Sequence, residues 1–436
     1  MTPSPALRRW RWLLPAIALL ILAAPASQVV AEPPSPDFAA WLEGVRKEAL
    51  DRGISPGTLD RVLTGLQPIP RVIELDLRQP EFVDAFLDYL DRRVTPVRIE
   101  EGRRQLQQQQ TLLAEIERRY GIPPHILVAL WGLETNYGGY LGDYPVPAAL
   151  ATLAFDSRRS QFFREQLFDA LAIVEAGHVE PEAMKGSWAG AMGHLQFMPS
   201  TFRAYAVDAD GDGRKDLWRS LPDAFASAAN YLKRLGWRSD EIWGREVRLP
   251  DRFDWALARP NLTKPVNAWS AMGVTQADGS PLPRSELPGA ILVPQGHKGP
   301  AFLVYPNFYL ILNWNRSLSY ALAVGHLSDR LRGLPELRQG QAARHERVTR
   351  QQVVDVQRQL AALGFDPGEA DGVVGARTRA ALKAFQRSVG LPQDGYPSPE
   401  VMARVHAVVA SRGLAAADPA AVSGAVVNTS GAVIGP

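Results

Sequence analysis

One helix-length apolar run, ending in a single carboxylate, constrains this chain more than any other feature. Between His125 and Thr135 the residues Ile126-Leu127-Val128-Ala129-Leu130-Trp131-Gly132-Leu133 precede Glu134, the only acid in the segment. A helix that is apolar on every side needs a protein core around it, so the rest of the chain must supply covering elements. It does so mainly with helices. Phe38, Trp41, Leu42, Val45, Ala49 and Leu50 fall on one face at helical spacing, and Gly53 ends that segment. The same period predicts helices over Glu81–Leu90, Glu100–Arg119, Leu153–Val174, Ser220–Leu235 and Asn315–Leu331. Gln107 to Gln110 reads as a solvated face of the second of these, and Ser220 with Asp223 forms a capping-box pattern. Only residues 245–304, richer in Pro, Gly and β-branched types, predict strands, such as Ala290–Val293 and Phe302–Tyr305. The fold class is therefore mainly α, with a small β-containing part (α+β).

The same run raises a chemical question. A carboxyl that loses its hydration is harder to ionise, so Glu134 in such a helix would stay protonated near neutral pH and serve as a general acid. A helix-end Glu that turns out to solvent would not. Composition removes several other chemistries. The 436 residues contain no cysteine, which excludes disulfides, thiolate metal sites, cysteine nucleophiles and a lipid-modified cysteine anchor. The seven histidines show no H-E-x-x-H spacing. With 48 Lys+Arg against 46 Asp+Glu there is no whole-chain basic signature, and no nucleic-acid partner is expected.

Organisation along the chain predicts export and two domains. Arg8, Arg9 and Arg11 precede an apolar run from Leu13 to Ala24 and small residues up to Ala31. This pattern predicts a signal peptide over 1–31, too short to span a bilayer as an anchor. Removing its three arginines leaves 45 basic side chains against 46 acidic ones. The mature protein is expected to be soluble and periplasmic, not a lipoprotein, with no membrane span after signal cleavage. A catalytic domain is expected over 35–332, a polar linker over 333–347 and a compact unit over 348–410. In that unit Val353, Val356, Leu360 and Leu363 form one stripe ended by Gly364, and Ala381, Phe385 and Val389 part of another. Residues 413–436, rich in Ala, Gly, Val and Ser without period, read as a disordered tail.

Two further segments carry potential chemistry. Gly186 to Pro199 mixes small residues, which permit close backbone approach, with hydroxyl, amide and aromatic groups suited to sugars; a tightly packed Gly/Ala turn has the same composition. Asp208-Ala209-Asp210-Gly211-Asp212-Gly213 matches the start of an EF-hand loop, and Arg214 can offer its carbonyl at position 7. Position 12 is Arg219 instead of a bidentate Glu, so Asp216 or Asp223 would have to complete a calcium site of weak affinity. A metal-free Asp/Gly turn is the other reading.

Together these segments carry a family resemblance. Glu134-Thr135-Asn136-Tyr137-Gly138, Ser187 to Pro199, Ala206-Val207-Asp208, Pro70 to Asp76 and Tyr320 to His326 resemble, in order, the B-type lytic murein transglycosylases, over residues 38–332. The resemblance implies a lysozyme-like catalytic core acting on peptidoglycan glycan strands, with Glu134 as catalytic acid. It also implies that Ser187 orients Glu134 by a hydrogen bond, that Gln196 contacts the sugar, and that Tyr231, Tyr309 and Asn315 line the groove. One departure is visible: Trp314-Asn315 stands where the family commonly has Tyr-Asn. No cofactor is required for this chemistry, and a structural Ca²⁺ held by Asp208, Asp210, Asp212, Arg214 and Asp223 is the one candidate ion. The C-terminal unit resembles the three-helix peptidoglycan-binding domain through Val353 to Leu360, Asp371-Gly372-Val373-Val374-Gly375 and Thr378 to Gln386. The implied activity cleaves between N-acetylmuramic acid and N-acetylglucosamine with closure of a 1,6-anhydro ring. A hydrolytic muramidase and a non-catalytic wall-binding protein are the rival readings.

Overall fold

The computed structural model of the chain describes residues 36–77, 82–83, 85–156, 160–340, 343–344 and 348–414. The expected signal segment 1–31 and tail residues 415–436 lie outside the described residues. Helix Pro124–Thr135 sits at the centre of the largest core, with every residue from Ile126 to Leu133 buried. It packs against helices Pro96–Gln108 and Leu318–Leu331, and more lightly against Gln110–Tyr120 and Leu221–Arg234. Truncating a fully buried leucine in such a core, Leu127 or Leu130, costs about 2–5 kcal/mol. A paired layer, Val146–Phe155 against Ser160–Glu175, closes one side.

Several helix boundaries differ from the periodic reading, each for a local reason. Glu100–Arg119 is two helices, Pro96–Gln108 and Gln110–Tyr120, broken at Gln109 within the glutamine run. Leu153–Val174 spans parts of two helices, Val146–Phe155 and Ser160–Glu175. Around Glu81–Leu90 the chain forms a two-residue strand, Phe82–Val83, before the helix Phe86–Arg93. Asn315–Leu331 is interrupted as well. Helix Pro306–Asn315 ends at Arg316 in the left-handed region (φ 56°), and Ser317 caps the next helix, Leu318–Leu331. At the other predicted cap, Ser220 does accept from the Asp223 N–H, but the Asp223 carboxylate does not return the bond. It turns into the preceding loop.

The β-containing part is one five-stranded antiparallel sheet with its own small core around Val247, Trp269, Ile291 and Leu303. Its order is Lys264–Pro265, Pro288–Leu292, Ala301–Val304, Gly244–Arg248, Thr275–Gln276, with Ala290 opposite Val304 and Gly244 opposite Val304 on the other side. Helix Pro306–Asn315 follows directly from strand Ala301–Val304 and returns the chain to the helical core. The C-terminal unit is three helices, Arg350–Ala362, Ala376–Ser388 and Pro399–Ser411, around Val356, Leu382, Phe385 and Val405.

This unit is docked onto the sheet part. Asp394, with its side chain 2% exposed, accepts from the His297 backbone N–H at 2.8 Å, lies 2.7 Å from His297 Nδ1, and accepts from Gln386 Nε2 at 2.6 Å and Tyr396 N–H at 2.9 Å. Lys383 Nζ donates to the Ala258 carbonyl at 2.6 Å. Phe82–Val83 pairs with Val348–Thr349. The connecting stretch is bound too: the Glu246 carboxylate accepts from the N–H groups of Arg338 and Gln339, and Gln295 Nε2 donates to the Ala343 carbonyl.

Candidate active site

Glu134 stands in the last turn of the apolar helix, and the helix end is fixed by unusual backbone. Asn136 and Tyr137 both adopt left-handed φ values, 52° and 61°, a costly pair for residues other than glycine. Tyr137 explains why they persist. Its ring lies across Gly132 of the same helix, where an added Cβ would come within 2.6 Å of the ring, and its hydroxyl donates to the Arg98 carbonyl at 2.7 Å. Trp131 donates its indole N–H to His194 at 3.0 Å, and Thr135 Oγ1 donates to the His194 carbonyl at 2.8 Å. These bonds tie the Glu134 helix to the Gly186–Pro199 segment.

The carboxyl itself is enclosed. Tyr320, buried in the helix Leu318–Leu331, donates its hydroxyl to Glu134 Oε1 at 2.5 Å. Burial pushes the Glu134 carboxyl up to about 7, against the opposing pull of the Tyr320 hydroxyl, the Arg93 charge and the Trp314 indole N–H. Arg93 is the charged group that acts on Glu134 among the described residues. Burial, together with the charge and hydrogen bond of Glu134, also raises the Tyr320 phenol well above its ordinary value, so Tyr320 remains a hydroxyl throughout.

The residues expected around Glu134 fall into three groups. Tyr231, on the helix Leu221–Arg234, and Gln196, in the Gly186–Pro199 segment, are both partly buried. Tyr231 forms an aromatic cluster with Tyr205, Phe197 and Trp314, at ring-centroid distances of 4.7, 5.9 and 5.2 Å. Gln196, at φ 51°, uses its amide to hold the loop, donating to the Gly193 and Leu141 carbonyls. Asn315 is exposed at the end of its helix. Ser187 and Tyr309 are engaged elsewhere. Ser187 Oγ accepts from the Ala191 N–H at 3.0 Å, and the hydrogen bond on the Glu134 carboxyl comes from Tyr320 instead. The Tyr309 hydroxyl donates to the Pro260 carbonyl and joins the helical core to the sheet part. Tyr320 is the residue whose role reading by motif passed over. Tyr320 sits inside a matched motif, but its pairing with Glu134 across 186 positions becomes visible only once the two helices pack.

The acidic loop is separate from this site. Asp208, Asp210 and Asp212 bring carboxylate oxygens within 4.8 Å of one another. Asp223 lies outside that cluster. It is fully buried, and its two oxygens accept from the N–H groups of Ala209 and Asp216 at 2.7 Å each. Asp216 accepts from the Trp218 and Arg219 N–H groups. No helix among the described residues is long and apolar enough to cross a membrane.

Comparison with known proteins agrees with this geometry. The model of the transglycosylase SLT domain family matches residues 37–329, and that of the putative peptidoglycan binding domain matches residues 349–405. The chain is 34% identical to membrane-bound lytic murein transglycosylase B of Escherichia coli (strain K12) over 251 residues, 56% of this chain and 67% of that protein. It is 45% identical to SltB3 from Pseudomonas aeruginosa, crystallised in complex with NAG-NAM-pentapeptide, with a TM-score of 0.82 over 84% of this chain and 99% of that one. The Escherichia coli transglycosylase Slt35, solved in complex with calcium, is 30% identical, with a TM-score of 0.58 over 68% of this chain and 93% of that one. An enclosed Glu on a buried helix, a lysozyme-like helical core and an attached three-helix domain thus converge on one conclusion: the chain belongs to the SLT transglycosylase family and is a peptidoglycan lytic transglycosylase.

Proposed function

We propose that Glu134 acts alone, first as acid and then as base, in cutting the bond between N-acetylmuramic acid and N-acetylglucosamine. The support for this is the enclosed carboxyl, raised by burial, with Tyr320 as its hydrogen-bond donor and Arg93 as the charged group that acts on it among the described residues. Protonated Glu134 gives its proton to the glycosidic oxygen as the bond to the anomeric carbon breaks. Positive charge develops at that carbon, where the substrate's own N-acetyl group assists. The Glu134 carboxylate then removes the proton of the muramic acid C6 hydroxyl, and that oxygen bonds to the anomeric carbon. The product is a 1,6-anhydro ring, and the starting protonation state returns. Adding water would instead call for a second carboxylate as base or nucleophile. Mass analysis of fragments released from purified sacculi tests the scheme. Anhydro ends, one water lighter than reducing ends, are expected; reducing ends alone would make the enzyme a muramidase.

We read Gln196, Tyr231 and Asn315 as groove residues, with Ser187 and Tyr309 shaping the loops beside them. SltB3 has also been crystallised with NAG-anhNAM-pentapeptide, at 44% identity to this chain, which supports a glycan carrying peptide stems as the substrate class. The docked C-terminal unit is read as a wall-binding module that keeps the enzyme at its substrate.

Two further readings complete the proposal. Asp208, Asp210 and Asp212, with the Arg214 carbonyl, form the donor set of a weak structural calcium site; oxygen ligands in this number and charge suit that ion, which would tie the loop together. The basic and apolar N-terminal segment directs export to the periplasm, and the absence of cysteine leaves no residue for lipid attachment through a thioether.

A further inference from the structure

We propose that a cleft between helices Phe86–Arg93, Pro96–Gln108 and Leu318–Leu331, with Glu336, Leu337 and Arg344 on its open side, binds the peptide stem of the glycan. The proposal rests on the reading that glycan strands carrying peptide stems are the substrate.

The cleft holds about 600 Å³, within the roughly 300–1,000 Å³ of small-ligand sites. Leu90, Val94 and Ile99 give it an apolar wall. His326, only 7% exposed, lines it, and its imidazole makes no hydrogen bond among the described residues. A buried polar group without a partner calls for one from a ligand or water. Burial and the Arg330 charge lower His326 to about 4, so the ring is neutral. A neutral imidazole offers one N–H donor and one acceptor nitrogen, the complement of a peptide amide.

The charges at the rim sort by partner. Arg344 pairs with Asp91, while Arg330 lies 3.4 Å from Glu336 and donates to the Leu334 carbonyl at 2.6 Å. Glu100 and Arg103, one turn apart on Pro96–Gln108, both line the cleft and have no ion-pair partner among the described residues. Arg103 uses one N–H on the Arg330 carbonyl, at 2.6 Å, and keeps its others. An unpaired acid beside an unpaired base fits a ligand with both an ammonium and a carboxylate. A phosphate would meet Glu100 with like charge, and a plain sugar would leave both ions unmatched. A stem peptide containing a diamino acid carries both charges, with amides between them for His326.

Two helices join the cleft to the catalytic carboxyl. Leu318–Leu331 brings Tyr320 to Glu134 and, six residues on, His326 to the cleft, a rise of about 9 Å. Phe86–Arg93 carries Arg93, whose charge acts on Glu134, and also Leu90 and Asp91, which line the cleft. An extended pentapeptide spans up to about 17 Å, so a stem on a muramic acid held at Glu134 reaches this far.

The test compares KM on peptide-bearing glycan strands and on the same strands stripped of peptide, for wild type, E100Q and R103Q of the full chain. Both positions are exposed, so folding is not at issue. Each variant is expected to raise KM about 2–5-fold on peptide-bearing strands, the scale of one exposed ion pair, with kcat and stripped strands unaffected. An unchanged KM, or an equal rise on both substrates, would overturn the proposal. A second measurement needs no turnover. The His326 imidazole resonances of 15N-labelled wild type should shift and saturate as free stem pentapeptide containing diaminopimelate is added, and should shift less with the side-chain amine of that peptide acetylated. No shift, or the same shift with both peptides, also overturns it. Cleavage by wild type of stripped strands alone would instead remove the substrate reading on which the proposal rests.

Discussion

Glu134 and Asp394 are both enclosed carboxyl groups, and the protein treats them in opposite ways. Glu134 has one hydroxyl donor at 2.5 Å, and burial wins, raising it to about 7. Asp394, at the seam between the sheet part and the C-terminal unit, is surrounded by donors from His297, Gln386 and Tyr396. Burial pushes it up, but those hydrogen bonds outweigh it and hold the group below its ordinary value. The number of donors, rather than depth, decides whether a buried acid becomes a proton source or a structural anion. Asp223 shows the intermediate case. Backbone N–H groups pull it down, yet burial and nearby Asp210 leave it raised.

The largest test of this contrast is removal of the proton at the catalytic end. E134Q keeps size and shape but cannot donate a proton to the glycosidic oxygen, so glycan cleavage is expected to fall about 10²–10⁴-fold or more. Wild-type activity should decline as pH rises through about 7, where the acid form is lost. At the seam, D394N should leave cleavage of soluble glycan unchanged. It puts an amide where His297, Gln386 and Tyr396 donate, and should cost about 1–3 kcal/mol of stability in denaturant titration. Unchanged stability in D394N would break the claim that donors make the difference.

The two acids should also bend stability against pH in opposite directions. Asp394 has a lowered folded value, so its contribution is present above the unfolded value, near 3.8, and fades as pH falls through the folded one. Glu134 has a raised folded value, so the folded state holds a proton that the unfolded state has lost between about 4.5 and 7. Stability therefore falls as pH rises across that window. E134Q, which never ionises, should melt higher than wild type by about 1–3 °C at pH 8 and by less at pH 5. Equal melting shifts at the two pH values would contradict the raised value.

Much of this was legible in the residues, for reasons that also explain what was hidden. The apolar helix around Glu134 was visible because all-round hydrophobicity has one meaning inside a protein this size. The breaks at Gln109 and Arg316 were not, because helical period runs on through a single residue that changes direction. The Arg316 break mattered most, since it turns the chain into the helix that carries Tyr320 to the Glu134 carboxyl. Tyr320 could be recognised as part of a motif but not as the partner of Glu134. The docking of the C-terminal unit was equally hidden, since His297 and Asp394 are 97 positions apart and neither stands out locally.

The smallest expected effect sharpens the comparison from a third direction. Asp208, Asp210 and Asp212 are acids left near solvent: Asp210 and Asp212 are exposed, and Asp208 is partly so. Asp208 accepts from the Gly211 and Gly213 N–H groups, and Asp212 from the Arg214 N–H, which shapes the loop but leaves three like charges close together. A divalent cation would relieve that repulsion where donors do not. With Arg219 at the position of the usual bidentate ligand, and Asp223 already committed to backbone, the gain should be modest. Calcium should therefore raise the melting temperature by about 1–4 °C, chelation should reverse it, and D210N should abolish the response. A melting curve indifferent to calcium would mean that the loop is held by its own backbone hydrogen bonds, as Asp223 is.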